Sequence, residues 1–167
     1  MLKLHNCTVI TQKNRILLDH VSFTCLPKDK IAVIGEEGNG KSTLLKVIAC
    51  PQQISEYARM EGTVDTGGAV IGMLPQTLDP QWEESSGLDF CLCESPQQMA
   101  QYEKMGELLQ LMEKTGADAE LLERSMAVLS GGERVKLQLI RLQLAHPDLI
   151  LLDEPTNDLD LPSLKLL

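Results

Sequence analysis

The sequence predicts an α/β domain built on a mostly parallel core sheet, and three observations carry that prediction. The apolar run KIAVIG, at residues 30–35, leads into a glycine-rich loop and then into LLKVIA, a segment of helical character. A second apolar run, at residues 149–152, ends abruptly in two carboxylates, Asp153 and Glu154. Between these runs lies a helical insert, so strands and helices alternate along the chain.

Composition and charge narrow the class of protein. The chain has 167 residues, which suits one domain with a sizeable core, and its formal net charge of −9 argues against wrapping nucleic acid by bulk electrostatics. No apolar run approaches the roughly 20 residues that span a bilayer. The N-terminal MLKLHNCTVI lacks the apolar core of a signal peptide. We therefore expect a cytoplasmic protein without direct membrane insertion.

The first half of the chain is predicted to be rich in strands. Residues 1–29 show short apolar alternations, which indicate an N-terminal antiparallel β part. KIAVIG is interpreted as a buried parallel strand because it is short, branched and continuously apolar. Residues 51–75 are predicted to form a loop and a hairpin, with a turn at Gly67-Gly68 between EGTVD and AVIGML.

The second half is predicted to be helical up to its last strand. Ser95-Pro96 is a typical helix start, and it is followed by apolar residues at helical spacing: Met99, Tyr102, Met105, Leu108, Leu109 and Met112. This stripe indicates a packed core face in preference to a binding surface. A second short helix is predicted over DAELLERSM, residues 118–126. A long helix over residues 130–145 then leads into the strand DLILLDE.

The glycine-rich loop fits the pattern G-x-x-x-x-G-K-[ST], in the strand–loop–helix context of a P-loop NTPase. Glycines let several backbone N–H groups point at one phosphate, and the helix N-terminus adds partial positive charge. The lysine reaches the terminal phosphates, and the serine hydroxyl can coordinate Mg²⁺. The alternative is a glycine-rich turn that carries Lys-Ser by chance. The predicted binding residues are Gly35, Glu36, Gly38, Asn39, Gly40, Lys41, Ser42 and Thr43.

The two carboxylates at the end of the second strand would complete such a site. Asp153 would hold Mg²⁺, through a water, and Glu154 would polarise the attacking water as the catalytic carboxylate. Adjacent carboxylates are costly to bury unpaired, so neither suits a core position. The alternative is that both only solvate the end of the strand.

Leu129-Ser130-Gly131-Gly132-Glu133 forms the third motif. Ser130 and Glu133 have the spacing of a capping box at a helix start. Two glycines in a first helical turn are poor for helix stability alone. They are expected where a ligand approaches the backbone closely, so Ser130 to Glu133 are candidate nucleotide-binding residues.

In this order, GEEGNGKST, LSGGE and LILLDEPTNDLD resemble the ATP-binding-cassette (ABC) ATPases over almost the whole chain. The resemblance implies ATP and Mg²⁺ as cofactors, with ATP held between the phosphate loop of one cassette and the LSGGE signature of another. A second cassette, in a longer chain or in a homodimer, is therefore an expected partner. The resemblance also implies that Gln76 contacts Mg²⁺ and the attacking water, and that Asp160 belongs to the D-loop.

Asn157, together with Glu133 in the signature, resembles the soluble F-type branch of this family. Members of that branch carry two cassettes, and many act on ribosomes in translation or in antibiotic resistance. The alternatives are the ATPase subunit of a membrane transporter and a nucleotide-binding fragment without turnover. Residues 1–167 would form one incomplete cassette, with a β-rich and P-loop part (1–75), a helical subdomain (76–128), and a signature helix and Asp-Glu strand (129–167).

Two departures from the family pattern bear on function. The family usually places an aromatic near residues 9–12 to stack on adenine, but here those residues are Val9, Ile10, Thr11 and Gln12. The family also continues with a helix, a strand and a catalytic-region histidine, for which His146 is wrongly placed. In this class of fold that strand lies between the P-loop strand and the Asp-Glu strand. We therefore expect a truncated or short form with a gap in its sheet.

Overall fold

The computed structural model describes residues 1–154, and the chain divides into two compact units. The first unit contains residues 1–73 and 148–153. Among the described residues, the second contains 74–147 and Glu154. The predictions for Asn157 and Asp160 concern residues outside the described part of the chain.

The first unit contains the predicted N-terminal antiparallel sheet. Strands β1 (Leu2–Thr11), β2 (Ile16–Cys25) and β3 (Ala58–Asp65) lie in the order β2-β1-β3, and β1 pairs antiparallel with both neighbours. One face of β1 supplies buried residues to the core of this unit, in which Leu2, Leu4, Cys7 and Val9 are all nearly inaccessible. Helices α1 (Lys41–Ala49) and α2 (Pro51–Ser55) add Leu44, Val47, Ile48 and Ile54 to the same core.

The second sheet of this unit is formed by β4 (Ile71–Leu74) and β5 (Leu149–Leu152). The Val70 carbonyl accepts from the backbone N–H of Asp148 at 2.8 Å, and the Asp148 carboxylate accepts from the Val70 N–H at 2.9 Å. These bonds join the residues that precede the two strands, as expected for a parallel pair. The strand predicted to end at Asp153 is thus confirmed.

The hairpin predicted within residues 51–75 is wrong. The two strands of that hairpin would be β3 and β4, but they belong to different sheets. Strand β3 pairs with β1 from Lys3 to Thr11, and β4 pairs with β5. A turn closed by Ala69 N–H to Thr66 O at 3.1 Å redirects the chain between them. Strand pairing is decided by distant segments, and the local turn signal at Gly67-Gly68 does not reveal it.

The strand predicted at KIAVIG is also wrong. Residues 30–35 have no regular secondary structure, and Ile31, Val33 and Ile34 are exposed, Ile34 by 93%. A buried strand needs partners for its backbone N–H and C=O groups. No strand in the described residues pairs with this segment, so its apolar side chains are not covered.

The second unit is helical, with α3 (Gly87–Leu92), α4 (Met105–Thr115) and α5 (Gly131–Leu144). The long helix predicted over residues 130–145 is confirmed as α5. The apolar side chains of these helices form one core with Trp82, Met126 and Leu129. None of the helices in the described residues is both long enough and apolar enough to cross a membrane.

Two of the predicted helical segments differ from the structure. Residues 118–126 form 3-10 turns at Ala119–Leu122 and Met126–Val128 in place of one helix. Asp118 and Ser125 cap these turns separately, and the backbone groups between them bond elsewhere: Gly87 N–H donates to Arg124 O and Met126 N–H to Ser85 O, both at 2.9 Å. These bonds compete with a continuous helical ladder.

Helix α4 begins at Met105 and not at Ser95. Leu108 and Met112 are buried, as predicted for a core face, but Met99 is 89% exposed and Tyr102 is also exposed. The Gln101 N–H donates to Leu92 O at 2.9 Å, which ties this stretch to α3 before α4 starts. The apolar spacing therefore extended the predicted helix by two turns that do not form.

The half-buried side chain of Arg141 packs on two aromatic rings in the core of the second unit. The rings of Trp82 and Phe90 meet edge to face at 5.4 Å, and the Arg141 guanidinium lies 4.1 Å from the Trp82 centroid. Burial lowers the pKa of Arg141, while its Nη2 donates to Cys93 O and Glu94 O, both at 3.2 Å. Burial also raises the pKa of the Cys91 thiol to about 12. The stacking of Arg141 on the two rings and its hydrogen bonds to Cys93 and Glu94 connect the end of α3 to α5.

Candidate functional site

The phosphate loop between residues 35 and 43 has the backbone shape that its glycines predict. Gly38 and Gly40 have φ values of +78° and +82°, in the left-handed region that favours glycine. A Cβ on Gly40 would lie 2.3 Å from the carbonyl oxygen of Leu17, so the packing against β2 also excludes a side chain there. Both the backbone conformation and the lack of space for a Cβ therefore require glycine at position 40.

Helix α1 begins directly after this loop without a side-chain cap. Gly40 occupies the N-cap, and no side chain there accepts from the first-turn N–H groups. The N-terminal N–H groups of a helix need partners, and together with the helix dipole they favour an anion. The first turn contains Lys41, Ser42 and Thr43. This helix start can therefore receive a phosphate group.

The Lys41 side chain turns back over the loop. Its Nζ donates to Gly35 O at 2.9 Å and to Glu36 O at 3.0 Å, and the loop is closed by Asn39 N–H to Glu36 O at 3.3 Å. The ammonium group is thus held at the loop by backbone carbonyls. It adds a point charge where the loop and helix already present N–H groups.

The structure brings Ser42 and Asp153 together across 111 residues of sequence. The Ser42 hydroxyl donates to Asp153 Oδ1 at 2.9 Å, and Asp153 is only 6% exposed. A buried carboxylate without a cation is costly. Hydroxyl and carboxylate oxygens are also the ligand types that Mg²⁺ prefers. The donor set therefore fits a magnesium ion, which Ser42 and Asp153 would hold.

Gln76 and Glu154 form a second pair, which belongs to the other unit. The Gln76 Nε2 donates to Glu154 Oε2 at 3.1 Å, across 78 residues of sequence. Glu154 has a φ of +50°, which is uncommon for a residue with a side chain. The amide thus orients a carboxylate at the residue directly after Asp153.

The signature helix α5 starts with a complete capping box. Ser130 N–H donates to Glu133 Oε2 at 2.8 Å, the Ser130 hydroxyl donates to the same oxygen at 2.7 Å, and Glu133 N–H returns to Ser130 Oγ at 3.4 Å. Arg124 Nη1 lies 3.1 Å from Glu133 Oε1. The Ser130 hydroxyl and N–H, followed by Arg124, lower the pKa of Glu133.

Gly132 is not required by the conformation of this helix start. A Cβ built on Gly132 meets nothing within 4 Å, and its φ is not positive. Neither packing in the described residues nor backbone strain therefore explains a glycine at position 132, in the first turn of the helix. A group from outside the chain that approaches this backbone would explain it.

Residues 18–157 match the ABC transporter family. The chain belongs to the ABC transporter family.

The cassette is similar to several curated relatives. It is 30% identical over 167 residues to ABC transporter F family member 2 of Arabidopsis thaliana, covering 96% of this chain and 24% of that protein. It is 34% identical over 153 residues to ribosome protection protein VmlR of Bacillus subtilis, covering 89% of this chain and 25% of that protein. The cassette thus spans about a quarter of the length of these relatives.

The fold of the cassette is similar to that of solved ABC cassettes. A dimeric bacterial ABC transporter cassette matches with a TM-score of 0.71 and 24% sequence identity, covering 99% of this chain and 78% of that one. This likeness confirms the predicted P-loop NTPase fold class, and the family match confirms that the cassette belongs to a class of ATPases.

One contact of the cassette's loop was not predicted from the sequence. Arg15, in the turn between β1 and β2, donates from Nη2 to Gly38 O at 3.0 Å. No motif marks this arginine, because the two residues are 23 positions apart. His146, by contrast, follows α5 with its Nε2 3.2 Å from Glu107, so it braces the end of that helix.

Proposed function

We propose that the cassette binds ATP with Mg²⁺ and hydrolyses it together with a second cassette. The observation that carries this proposal is the hydrogen bond between Ser42 and Asp153, because it joins the side chains of the two proposed magnesium ligands near the start of the phosphate-loop helix. Backbone N–H groups of Gly38 to Thr43 would hold the phosphates, and Lys41 would neutralise their charge. Bound Mg²⁺ would polarise the phosphate oxygens.

Glu154 is proposed as the carboxylate that orients and polarises the attacking water. Gln76 would position that carboxylate and contact the same water or the metal ion, since its amide nitrogen already donates to Glu154 at 3.1 Å. An amide offers both a donor and an acceptor, so it can bridge a carboxylate and a water. This pair supports hydrolysis, whereas the phosphate loop alone supports only binding.

A second cassette is proposed as the partner that completes the site. The chain has one phosphate loop and one signature, and ATP would lie between the loop of one copy and Ser130, Gly131, Gly132 and Glu133 of the other. The open space around Gly132 supports this role, as does the dimer described for the bacterial cassette. The second copy would be a homodimer partner or a further cassette in a longer chain.

The whole protein is proposed to be a cytoplasmic member of the soluble F-type branch that acts on ribosomes, in translation or in antibiotic resistance. The names of the Arabidopsis F family member and of the Bacillus ribosome protection protein support this assignment. Binding without turnover is the second candidate for the chain by itself. It is favoured by the exposed apolar segment at residues 31–34, which has no strand partner in the described residues.

Nucleotide binding is tested by the melting temperature with and without Mg²⁺-ATP. A ligand at about 100 times its Kd stabilises a protein by roughly 2.7 kcal/mol. Lys41→Ala should abolish the rise, while Lys46→Ala, a matched lysine on the same helix, should keep it. An equal rise in the Lys41 variant would contradict the proposed phosphate site.

Hydrolysis is tested separately from binding. Glu154→Gln should keep the ATP-dependent rise in melting temperature and lose steady-state phosphate release, with Glu123→Gln as a surface control. No turnover by the unaltered chain at any protein concentration, with normal ATP binding, would favour the binding-only candidate. Co-sedimentation with ribosomes tests the F-type assignment, and recovery with a membrane subunit instead would favour the transporter alternative.

A further inference from the structure

The turn between β1 and β2 holds Arg15 in a fixed position. The Arg15 N–H donates to Thr11 Oγ1 at 3.1 Å, and the Thr11 N–H donates to Arg15 O at 2.9 Å. Asn14 N–H donates to Thr11 O, also at 2.9 Å. Two hydrogen bonds to Thr11 therefore hold the backbone of Arg15, and the bond from Asn14 to the same residue closes the turn, while the Arg15 side chain is exposed. The fixed backbone limits the directions in which the Arg15 side chain can extend.

The side chain of Arg15 is aimed at the phosphate loop. Its Nη2 lies 3.0 Å from Gly38 O, and it would lie 3.6 Å from a Cβ at Gly38. A guanidinium group has five N–H donors and two planar faces, and this contact uses one donor edge. Because the side chain is exposed, its remaining donors and both faces are open to a ligand that binds beside Gly38.

A nucleotide on this loop also needs a surface for its base. Residues 9–12 contain no aromatic side chain, and Val9 is fully buried in the core. The aromatic residues of this unit are Phe23 and Tyr57. Phe23 packs against the core, whereas Tyr57 is 37% exposed and its carbonyl accepts from the Gln12 N–H at 3.3 Å. Arg15 and Tyr57 are thus the two candidates, and only Arg15 has a contact with the loop among the hydrogen bonds of the described residues.

We propose that Arg15 stacks its guanidinium plane on the purine base of ATP while Nη2 stays bonded to Gly38. This inference rests on the proposed function and names the group that recognises the base. A guanidinium is planar, delocalised and weakly hydrated, so it stacks well on π systems. Arginine contributes such contacts to base binding in other nucleic-acid sites. The bond to Gly38 limits the rotamer freedom that would otherwise be lost on binding.

Stacking can be separated from phosphate binding by using two ligands. ATP carries a base, and inorganic tripolyphosphate does not. The Kd of each is measured for the unaltered chain and for Arg15→Met, Arg15→Lys and Lys13→Met, the last being a matched cation on the same turn. We expect Arg15→Met and Arg15→Lys to weaken ATP roughly five-fold, and tripolyphosphate by less than about two-fold. Lys13→Met should leave both constants unchanged.

The following results would overturn the proposal. Equal weakening of ATP and tripolyphosphate by Arg15→Met would mean that Arg15 acts on the phosphates or on the loop shape. Unchanged ATP binding in that variant, with a large loss in Tyr57→Leu, would assign the base to Tyr57. Finally, binding of neither ligand by the unaltered chain, or binding that survives Lys41→Ala, would remove the proposed function and this inference together. Normal binding that is insensitive to Arg15 would remove only the inference.

Discussion

The two helix starts of the proposed ATP site are built in opposite ways. Helix α1 follows Gly40, a left-handed glycine without a side chain to cap the first-turn N–H groups. Helix α5 follows Ser130, whose side chain and backbone form a complete capping box with Glu133. Under the proposed function, α1 leaves its first-turn donors for a ligand, whereas α5 satisfies its own and is formed before a second cassette binds.

The glycines of the two starts should respond oppositely to one added methyl group. Gly40→Ala places a Cβ 2.3 Å from Leu17 O at a φ of +82°, so we expect a loss of about 3 kcal/mol in the free energy of unfolding. Gly132→Ala meets nothing within 4 Å and should gain up to about 1 kcal/mol from helix propensity. Denaturant unfolding measures both variants.

ATP binding and turnover should also differ between the Gly40→Ala and Gly132→Ala variants. Gly40→Ala should lose ATP binding, and Gly132→Ala should keep binding by the single chain but lose turnover that depends on a second cassette. A stable Gly40→Ala variant that binds ATP would show that the loop does not need this backbone shape. Full turnover by Gly132→Ala would show that nothing approaches the signature closely.

The next largest effect concerns the proposed magnesium ligands at the start of α1. Asp153→Asn removes a charge from a carboxylate that is 6% exposed, so we expect ATP binding in Mg²⁺ to weaken at least about ten-fold without loss of stability in the ligand-free protein. Titration with ATP in Mg²⁺ and in a chelator gives the two constants. Only the constant in Mg²⁺ should change.

Asp148→Ala is the matched control for that variant, because Asp148 belongs to the same segment but bonds to the Val70 N–H at 2.9 Å. It should lower the free energy of unfolding by about 1 kcal/mol and leave the Mg²⁺ dependence intact. If both aspartate variants changed the Mg²⁺ dependence alike, Asp153 would lose its assigned role.

The α5 cap should give a smaller effect, on the stability of the single chain. Ser130→Ala removes the side chain that accepts from Glu133 N–H at 3.4 Å, so a loss of about 1 kcal/mol is expected. For a domain of this size, that corresponds to roughly 2–4 °C in melting temperature. ATP binding by the single chain should not change. An unchanged melting temperature would show that the cap does not stabilise α5.

The contrast between the two starts also shows what the sequence could predict. Both starts depend on short local patterns, of eight residues at α1 and four at α5, so the G-x-x-x-x-G-K-S pattern and the S-x-x-E box predicted these helix starts correctly. The strand at residues 30–35 was predicted wrongly because a strand depends on a partner elsewhere in the chain. The hairpin between β3 and β4 failed for the same reason.

The contacts between distant residues show the same limit. The pairs Ser42–Asp153 and Gln76–Glu154 could be anticipated only through the resemblance to a family, because no local rule joins residues 111 and 78 positions apart. Arg15 lies outside every motif, so only its distance to Gly38 O reveals it. Met99 and Tyr102 have the sequence spacing of a buried helix face, but both side chains are exposed in the structure.

The smallest effect is the pH dependence of the α5 cap. The Ser130 hydroxyl lowers the pKa of Glu133 in the folded chain, so the folded state holds the ionised carboxylate more strongly than the unfolded state does. The resulting stabilisation is present above the unfolded pKa of about 4.3 and is lost as the pH falls through the folded value. Comparing Glu133→Gln with the unaltered chain between pH 7 and pH 3 should therefore show a difference in stability that shrinks on acidification. A difference that grew below pH 4 would mean that Glu133 stabilises α5 as the neutral acid, and the contrast with the uncapped start of α1 would then need another basis.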